Sequence, residues 1–366
     1  MKLRWPGLKI LDRYIIGKFL STYFFSIILI IVVIVIFDYA EKIDNFTASK
    51  APFKAIVFDY YLNFIPSFVN QFSGLFAFIS VIFFTSKLAY QTEIIAMLSG
   101  GMSFRRLMWP YFIGSLIIAG LSLSLNLWIV PISQKTCVKF ESEYIDNRKG
   151  VKYDKHIYRQ VEPGLFLYLR SLTNQDRAAF LTLEKYEEGK MVSVLEAATV
   201  SLDSLSGRWK ALRYTTREFD ESGADNFTQH RNLDTLINID RSELGNVGDL
   251  VKTMKIDELN EFLEQQKLKG SDSIKVIEVA KHTRYAFPAG TFILTLIGVS
   301  VSSRKVRGGT GLHIGIGTGL CFSYILFTRF FEEFAKGGSM PPDIAVWTPN
   351  IIFSFIAIYF YNKAPK

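Results

Sequence analysis

The sequence predicts an α-helical membrane bundle of six transmembrane helices, three before and three after an inserted extracytoplasmic all-β domain. Three observations predict it. Charged and apolar residues are segregated into blocks, although the 366 residues are 49% hydrophobic and 21% charged overall. Six runs free of Asp, Glu, Lys and Arg each reach about the 20 residues that carry a helix across ~30 Å of hydrocarbon. Between the third and the fourth lies a polar block, roughly Lys135 to Arg284, in which charges recur every few positions. The expected organisation is a membrane half at 1–134, an extracytoplasmic domain at 135–284 and a second membrane half at 285–366.

The first run, Phe19 to Phe37, follows a basic start (Lys2, Arg4, Lys9, Arg13, Lys18). It is longer than a signal-peptide core and lacks a small-residue cleavage pattern, so it reads as an uncleaved span. The stretch Leu11–Leu20 mixes charge and apolar residues at helical spacing and reads as an interfacial segment before the chain turns inward. The next runs are Tyr60–Ser86 and Leu107–Gln134, with Pro66 and Pro110 near their starts, where a missing amide is best tolerated. After the polar block come Tyr285–Ser303, Gly308–Thr328 and Ile344–Asn362.

Orientation follows from the short loops. With the N-terminus inside, the inner segments carry thirteen Lys and Arg, including Lys87, Arg105, Arg106, Arg304, Lys305, Arg307, Lys363 and Lys366. The outer short loops carry five: Lys42, Lys50, Lys54, Arg329 and Lys336. This positive-inside bias puts both termini in the cytoplasm and the polar block outside it. The formal charge of +8 is spread around apolar runs, which fits membrane-surface placement better than nucleic-acid binding.

Within the polar block, short alternating segments at 156–161, 164–170, 179–186, 191–197 and 208–214 are separated by turn signals. They predict an antiparallel sandwich or open roll. From Asp257 the pattern becomes helical, with Leu259, Phe262 and Leu263 on one face and Gly270 as a stop. Ser273–Thr283 then reads as a helix feeding the fourth span.

No enzyme constellation is present. The chain has no G-x-S-x-G elbow, HExxH, P-loop or paired intramembrane carboxylates. Four His and two Cys stand singly, without metal-ligand spacing, and Cys137 and Cys321 are placed too differently to pair. His156 and His230 read as surface residues, and His313, alone in its span, is assigned no function.

Three stretches carry mechanism. Residues 87–106 form a cytoplasmic loop whose centre, Glu93–Leu98, is a short amphipathic helix ended by Gly100 and Gly101. It offers either a grip for a cytosolic partner or an interfacial linker anchored by Arg105 and Arg106. The fifth span repeats small residues at Gly311, Gly315 and Gly319, with Gly317 beside them, a face suited to close helix packing. Asp38, Glu41, Lys42 and Asp59 gather at the outer ends of the first two spans, near a Phe stripe at Phe64, Phe68, Phe72 and Phe76.

In this order the motifs resemble the lipopolysaccharide-transport permeases of Gram-negative bacteria, the LptF/LptG family. Leu11–Ile15 is similar to its N-terminal helix, Thr92–Ser103 to its coupling helix, and Phe287-Pro288, 304–309 and 341–350 to its closing pattern. The N-terminal text leans toward LptG. The resemblance implies a jelly-roll form for the outer domain and pairing with a second permease. It also implies a cytosolic LptB-type ATPase dimer that carries ATP and Mg²⁺, a bridge of LptC/LptA-type proteins, and lipopolysaccharide moving between the first and fifth spans of opposing subunits. It assigns Glu93, Gly101 and Arg105 to the ATPase contact, Lys42 to the lipid headgroup, and Gly311, Gly315 and Gly319 to the lateral gate. Where LptG members typically carry a basic pair, this chain has Glu41-Lys42. The alternative class is a membrane scaffold or signal relay, which needs only a packed bundle. A lipid-acting enzyme is disfavoured by the missing catalytic groups.

Overall fold

Long apolar runs become long helices because a backbone in hydrocarbon must satisfy its own hydrogen bonds. The computed structural model describes residues 9–145, 157–173, 177–203, 207–219, 225–237, 247–268, 271, 273–303 and 309–364. Lys2, Arg4, His156, Gly270, Arg304, Lys305, Arg307 and Lys366, and the side chain of His313, lie outside the described residues. The chain divides into a helical unit (Met1–Asp44, Phe53–Cys137 and Glu278–Lys366) and a second unit (Asn45–Pro52 and Val138–Ile277).

Among the described residues six helices are long and apolar enough to cross a membrane. The first, α1 (Ile10–Ser49), runs 40 residues without interruption. The segment expected to lie in the interface and then turn is thus the first turns of the spanning helix itself. Gly17 is its sole breaker-type residue before the span, and a lone helical Gly costs only about 1 kcal/mol. After α2 (Phe53–Ala55) comes a π-helical turn, Ile56–Tyr61, and then α3 (Leu62–Tyr90). The short α4 (Glu93–Ser99) leads to α5 (Phe104–Ser124), a second π-turn at Leu125–Ile129 and α6 (Val130–Phe140).

The second unit contains β1 (Ile157–Glu162), β2 (Leu165–Thr173), β3 (Arg177–Glu187), β4 (Lys190–Asp203), β5 (Arg208–Phe219) and β6 (Asp225–Leu236). They form one antiparallel sheet in the order β1-β2-β3-β4-β5-β6, each strand beside its sequence neighbour. This confirms an inserted antiparallel β-domain. The described strands make a meander, without the Greek-key crossovers of a jelly roll. Sequence reading marked five strands and passed over β6, because Asp225–Leu236 is mostly polar and Asn232 interrupts it at φ +58°. The core of this unit gathers Leu167, Leu169, Leu181, Val200 and the fully buried Trp209. Inward alternation breaks at Phe180, which adopts φ +57° and stacks under the Arg170 guanidinium. Ala178 and Leu181, three apart, therefore both point into the core.

Two helices follow, α7 (Val247–Thr253), which the sequence reading missed, and α8 (Ile256–Leu268), which it placed. In α8 the predicted face of Leu259, Phe262 and Leu263 is the buried one. The last three helices are α9 (Ile274–Ser302), α10 (Gly309–Lys336) and α11 (Pro342–Lys363). As expected, the segment after Ser273 runs unbroken into the fourth span.

Hydroxyls and amides tie the helices of the bundle. Tyr23 and Ser73 hydroxyls lie 2.7 Å apart between α1 and α3, and Thr85 and Tyr111 hydroxyls 3.0 Å apart between α3 and α5. Such bonds are worth about 0.5–2 kcal/mol each in hydrocarbon. Pro288 has no N–H for the Arg284 carbonyl four residues back, and Asn126 Nδ2 donates to that carbonyl at 3.4 Å instead. Asn350 of α11 accepts from the Tyr324 hydroxyl of α10 at 2.8 Å and donates to the Ala286 carbonyl of α9 at 2.9 Å. Gly290 makes room for this node, since a Cβ there would sit 2.1 Å from the Tyr324 hydroxyl oxygen.

Gly290→Ala is therefore expected to push Tyr324 off Asn350 and destabilise the bundle by about 1–3 kcal/mol. Gly315→Ala, where a Cβ meets nothing within 4 Å, should not destabilise it and can gain up to about 1 kcal/mol of helix propensity. Thermal unfolding of both variants in the same detergent checks the contrast.

Candidate functional site

The 87–106 loop is built on a buried carboxylate. Asp12, in the first turn of α1, is 2% exposed. Its Oδ2 accepts the Lys9 backbone N–H at 3.0 Å, the reach-back half of a capping box. Both of its oxygens also accept from the Arg106 guanidinium, Nη1 to Oδ1 and Nη2 to Oδ2, each at 2.7 Å. This bidentate pair joins the start of α1 to the start of α5. Arg106 is capped in turn by Ser103, whose hydroxyl accepts its backbone N–H at 3.3 Å.

Between these two helix starts sits α4. Ile94 is fully buried in a cluster with Ile15, Leu88, Phe104 and Leu107. Glu93 opens the helix, and its carboxylate accepts from the Tyr14 hydroxyl at 3.2 Å. Thr92 before it (φ +63°) and Gly101 after it (φ +86°) are both left-handed, so the chain turns sharply on each side of two helical turns. Glycine suits the second turn because it has no Cβ to strain there. The outward face of α4 exposes Ile95, Ala96 and Ser99. Arg105 is exposed as well. Of the predicted contact residues, Glu93 thus opens α4, Gly101 forms the turn after it, and Arg105 stands in the first turn of α5.

Lys42 does not stand free. Its ammonium lies 3.0 Å from Asp38 Oδ1, one turn earlier in α1, and donates to the Tyr60 hydroxyl. That hydroxyl also donates to Asp38 at 3.2 Å. Beneath the ion pair, rings of the π-helical turn and α3 form a ladder: Tyr60–Phe64 at 5.7 Å, Phe64–Phe68 at 6.0 Å and Phe68–Phe72 at 4.4 Å. Phe72 also lines a cleft of about 240 Å³ with Gly290, Tyr324 and Arg329. The Phe stripe is thus continuous and half-buried, with Phe76 packed into the core beyond it.

On α10, a Cβ at Gly311, Gly315 or Gly319 would meet nothing within 4 Å, whereas at Gly317 it would overlap Ile82 of α3 at 2.0 Å. The residue set beside the stripe is therefore the one that packs inside the chain. The stripe itself is open.

In the second unit Glu184 accepts from the Tyr158 and Tyr186 hydroxyls at 3.0 and 3.3 Å. Burial, and then the bond to this carboxylate, push the Tyr158 phenol up to about 12, so it stays a neutral donor at physiological pH. His230 is stacked on Tyr214 at 5.0 Å, with a ring nitrogen 3.0 Å from the Thr216 hydroxyl. Cys137 and Cys321 are both buried. Among the described residues no group of His, Cys, Asp or Glu gathers as a metal site.

Sequence reasoning missed Asp12 and Tyr14. A signal was available, because Asp12 is the first acid of the chain and the next is Asp38. A single carboxylate in a basic apolar segment needs a cation partner if it is buried.

The family model described as lipopolysaccharide export system permease LptF/LptG matches residues 13–363 of the chain. No curated protein sequence matches it.

A double-mutant cycle between Asp12→Ala and Arg106→Ala, read by unfolding in detergent, is expected to give a coupling of about 0.5–3 kcal/mol. Additive effects would mean that the pair does not hold α1 to α5.

Proposed function

The chain belongs to the LptF/LptG family of lipopolysaccharide export system permeases, and from that premise we propose that it is one of two paired membrane subunits of an ATP-driven exporter. The observation that carries this reading is which helices are left uncovered. In α1 and α10, 17% of the apolar window is buried, against 28–67% in the other four spans. These are the first and fifth spans, and α10 carries the open Gly311–Gly315–Gly319 stripe. In this reading α1 of each subunit faces α10 of its partner, and lipopolysaccharide passes between them from the inner membrane.

Orientation follows the positive-inside bias, with both termini cytoplasmic and the β-domain periplasmic, where it continues an LptC/LptA-type bridge. An LptB-type ATPase dimer carries ATP and Mg²⁺ and docks against α4. Glu93 and Gly101 set the shape of that contact. The anchoring of α4 by Ile94, and of both flanking helices by Asp12–Arg106, makes it a stiff lever instead of a loose loop. Lys42 stands over the aromatic ladder, where a phosphate could exchange with Asp38 for its ammonium while acyl chains lie along the rings.

Purification from native membranes in mild detergent, with mass spectrometry of proteins and lipids, is expected to recover an ATPase, a second permease and lipopolysaccharide. The chain alone, free of glycolipid, would sink the proposal. Photo-crosslinkers make the gate specific: placed at Gly315 they should capture another permease chain, and placed at Phe355 of α11 they should not.

Glu93→Lys is expected to cut lipopolysaccharide-dependent ATPase activity severely. Its unfolding midpoint should hardly move, because an exposed 3.2 Å hydrogen bond contributes only about 0.5–1.5 kcal/mol. Full ATPase activity in that variant would remove Glu93 from the coupling contact.

A further inference from the structure

Away from α1 and α10, the bundle has a second opening. A groove of about 430 Å³ lies between α5, α9 and α11, walled by Phe112 and Phe292, whose rings are 5.5 Å apart, with Ala357 and Tyr361 on the third side. Its surroundings are apolar and exposed: Leu116, Phe355 and Ile358 all present at least half their surface. The groove therefore opens on hydrocarbon, not on water. Its volume falls at the small end of the roughly 300–1,000 Å³ of ligand pockets, room for a single chain and not for a cluster of chains.

Two polar features point to what lies there. Thr295, a residue 2% exposed, is one of the residues that line the groove, and its hydroxyl has no hydrogen-bond partner among the described residues. The other hydroxyls on the wall are satisfied, Ser115 by the Phe112 carbonyl at 2.9 Å and Ser354 by the Asn350 carbonyl at 2.7 Å. The second feature is Arg105. Residues 105, 108, 112 and 115 share one helical face, so Arg105 sits on the groove side one turn before Met108. It is exposed, with no hydrogen bond or ion pair among the described residues, whereas its neighbour Arg106 is held by Asp12.

The depths agree. Phe112 meets Phe292, while Asn126, further along the chain, reaches Arg284, eight residues earlier in α9, so α5 and α9 run antiparallel. Thr295 therefore lies on the Arg105 side of the ring contact, near the level of Trp109. That is one helical turn, about 5.4 Å, from Arg105. Trp109 itself is half-exposed and stacked on Phe112, as expected of a ring at the membrane interface. A cation, then a buried hydroxyl one turn deeper, then an apolar slot match the phosphate, ester carbonyl and acyl chain of a glycerophospholipid.

We propose that this groove holds one acyl chain of a resident anionic glycerophospholipid, with its phosphate on Arg105 and an ester carbonyl accepting from Thr295. The site is separate from the α1 and α10 faces and takes a membrane lipid instead of the cargo, whose lipid anchor carries more chains than the slot admits. The resemblance puts Arg105 at the ATPase contact, so the test reads bound lipid and not ATPase activity.

The test is native mass spectrometry of the full-length chain, with whatever subunits accompany it, after extensive detergent washing. Lipid extraction then identifies what is retained. The wild-type chain is expected to keep about one phosphatidylglycerol-class lipid. Arg105→Gln, an exposed change that leaves the core intact, should lower retention about tenfold, the effect of losing a charge-assisted contact of about 1.4 kcal/mol or more. Thr295→Val, nearly isosteric, should lower it less while keeping the unfolding midpoint. No retained phospholipid in the wild-type chain, unchanged retention in Arg105→Gln, or lipopolysaccharide as the lipid lost from these variants would each overturn the proposal.

Discussion

A carboxylate that is 2% exposed at the edge of a membrane bundle is tenable only if a cation meets it. Asp12 has that cation in Arg106, and the inner end of the molecule depends on the pairing. Asp12 also caps its own helix, so one side chain fixes where α1 begins and which helix it begins against. Breaking such a pair leaves an uncompensated charge, which costs more than the pair itself contributes. The geometry is therefore strongly specified even where its net stability is small. Through it, Ile94 and Tyr14 find α4 already flanked by two anchored helix starts.

The rest of the helical unit is specified by packing and by a few buried polar contacts, because helices in lipid gain little from apolar burial against one another. Gly290 lets Tyr324 reach Asn350, Gly317 lets α10 meet Ile82, and Asn126 takes the carbonyl that Pro288 leaves without a donor. These constraints lie inside the chain. The glycines that line the open side of α10 lie outside it, which separates residues needed for folding from residues available to another subunit. The membrane-facing surfaces divide in the same way. Two helices, α1 and α10, are left bare along most of their spans, whereas α5, α9 and α11 enclose an apolar slot.

Much of this was legible in the chain. The spans could be read because a long charge-free run has few ways to be stable other than as a helix across hydrocarbon. Five strands could be read because alternation with turns between them is a local signal. β6 was not, since its residues are mostly polar and Asn232 breaks its alternation. Glu93, Gly101 and Arg105 are legible as parts of one loop, and the structure divides that loop into α4, a left-handed turn at Gly101 and the start of α5. The partner of Glu93 was not legible, because Tyr14 is 79 residues away in sequence. Lys42 is legible as a cation at the outer end of the first span, but its ion pair with Asp38 one turn earlier depends on side-chain rotamers that the sequence leaves open.

The sequence by itself determined the membrane class, the number of spans, the inserted β-domain and the family, because these rest on run length, periodicity and local motifs that do not depend on neighbours. Only the tertiary structure decided that α1 continues unbroken from its first turn, that Arg106 and not Arg105 is tied down, and that Gly317 packs inward while its three neighbours stay open. The physical reason is common to all three. Each depends on what faces a side chain across the bundle, and one residue's displacement around a helix, 100°, sends it to a different neighbour.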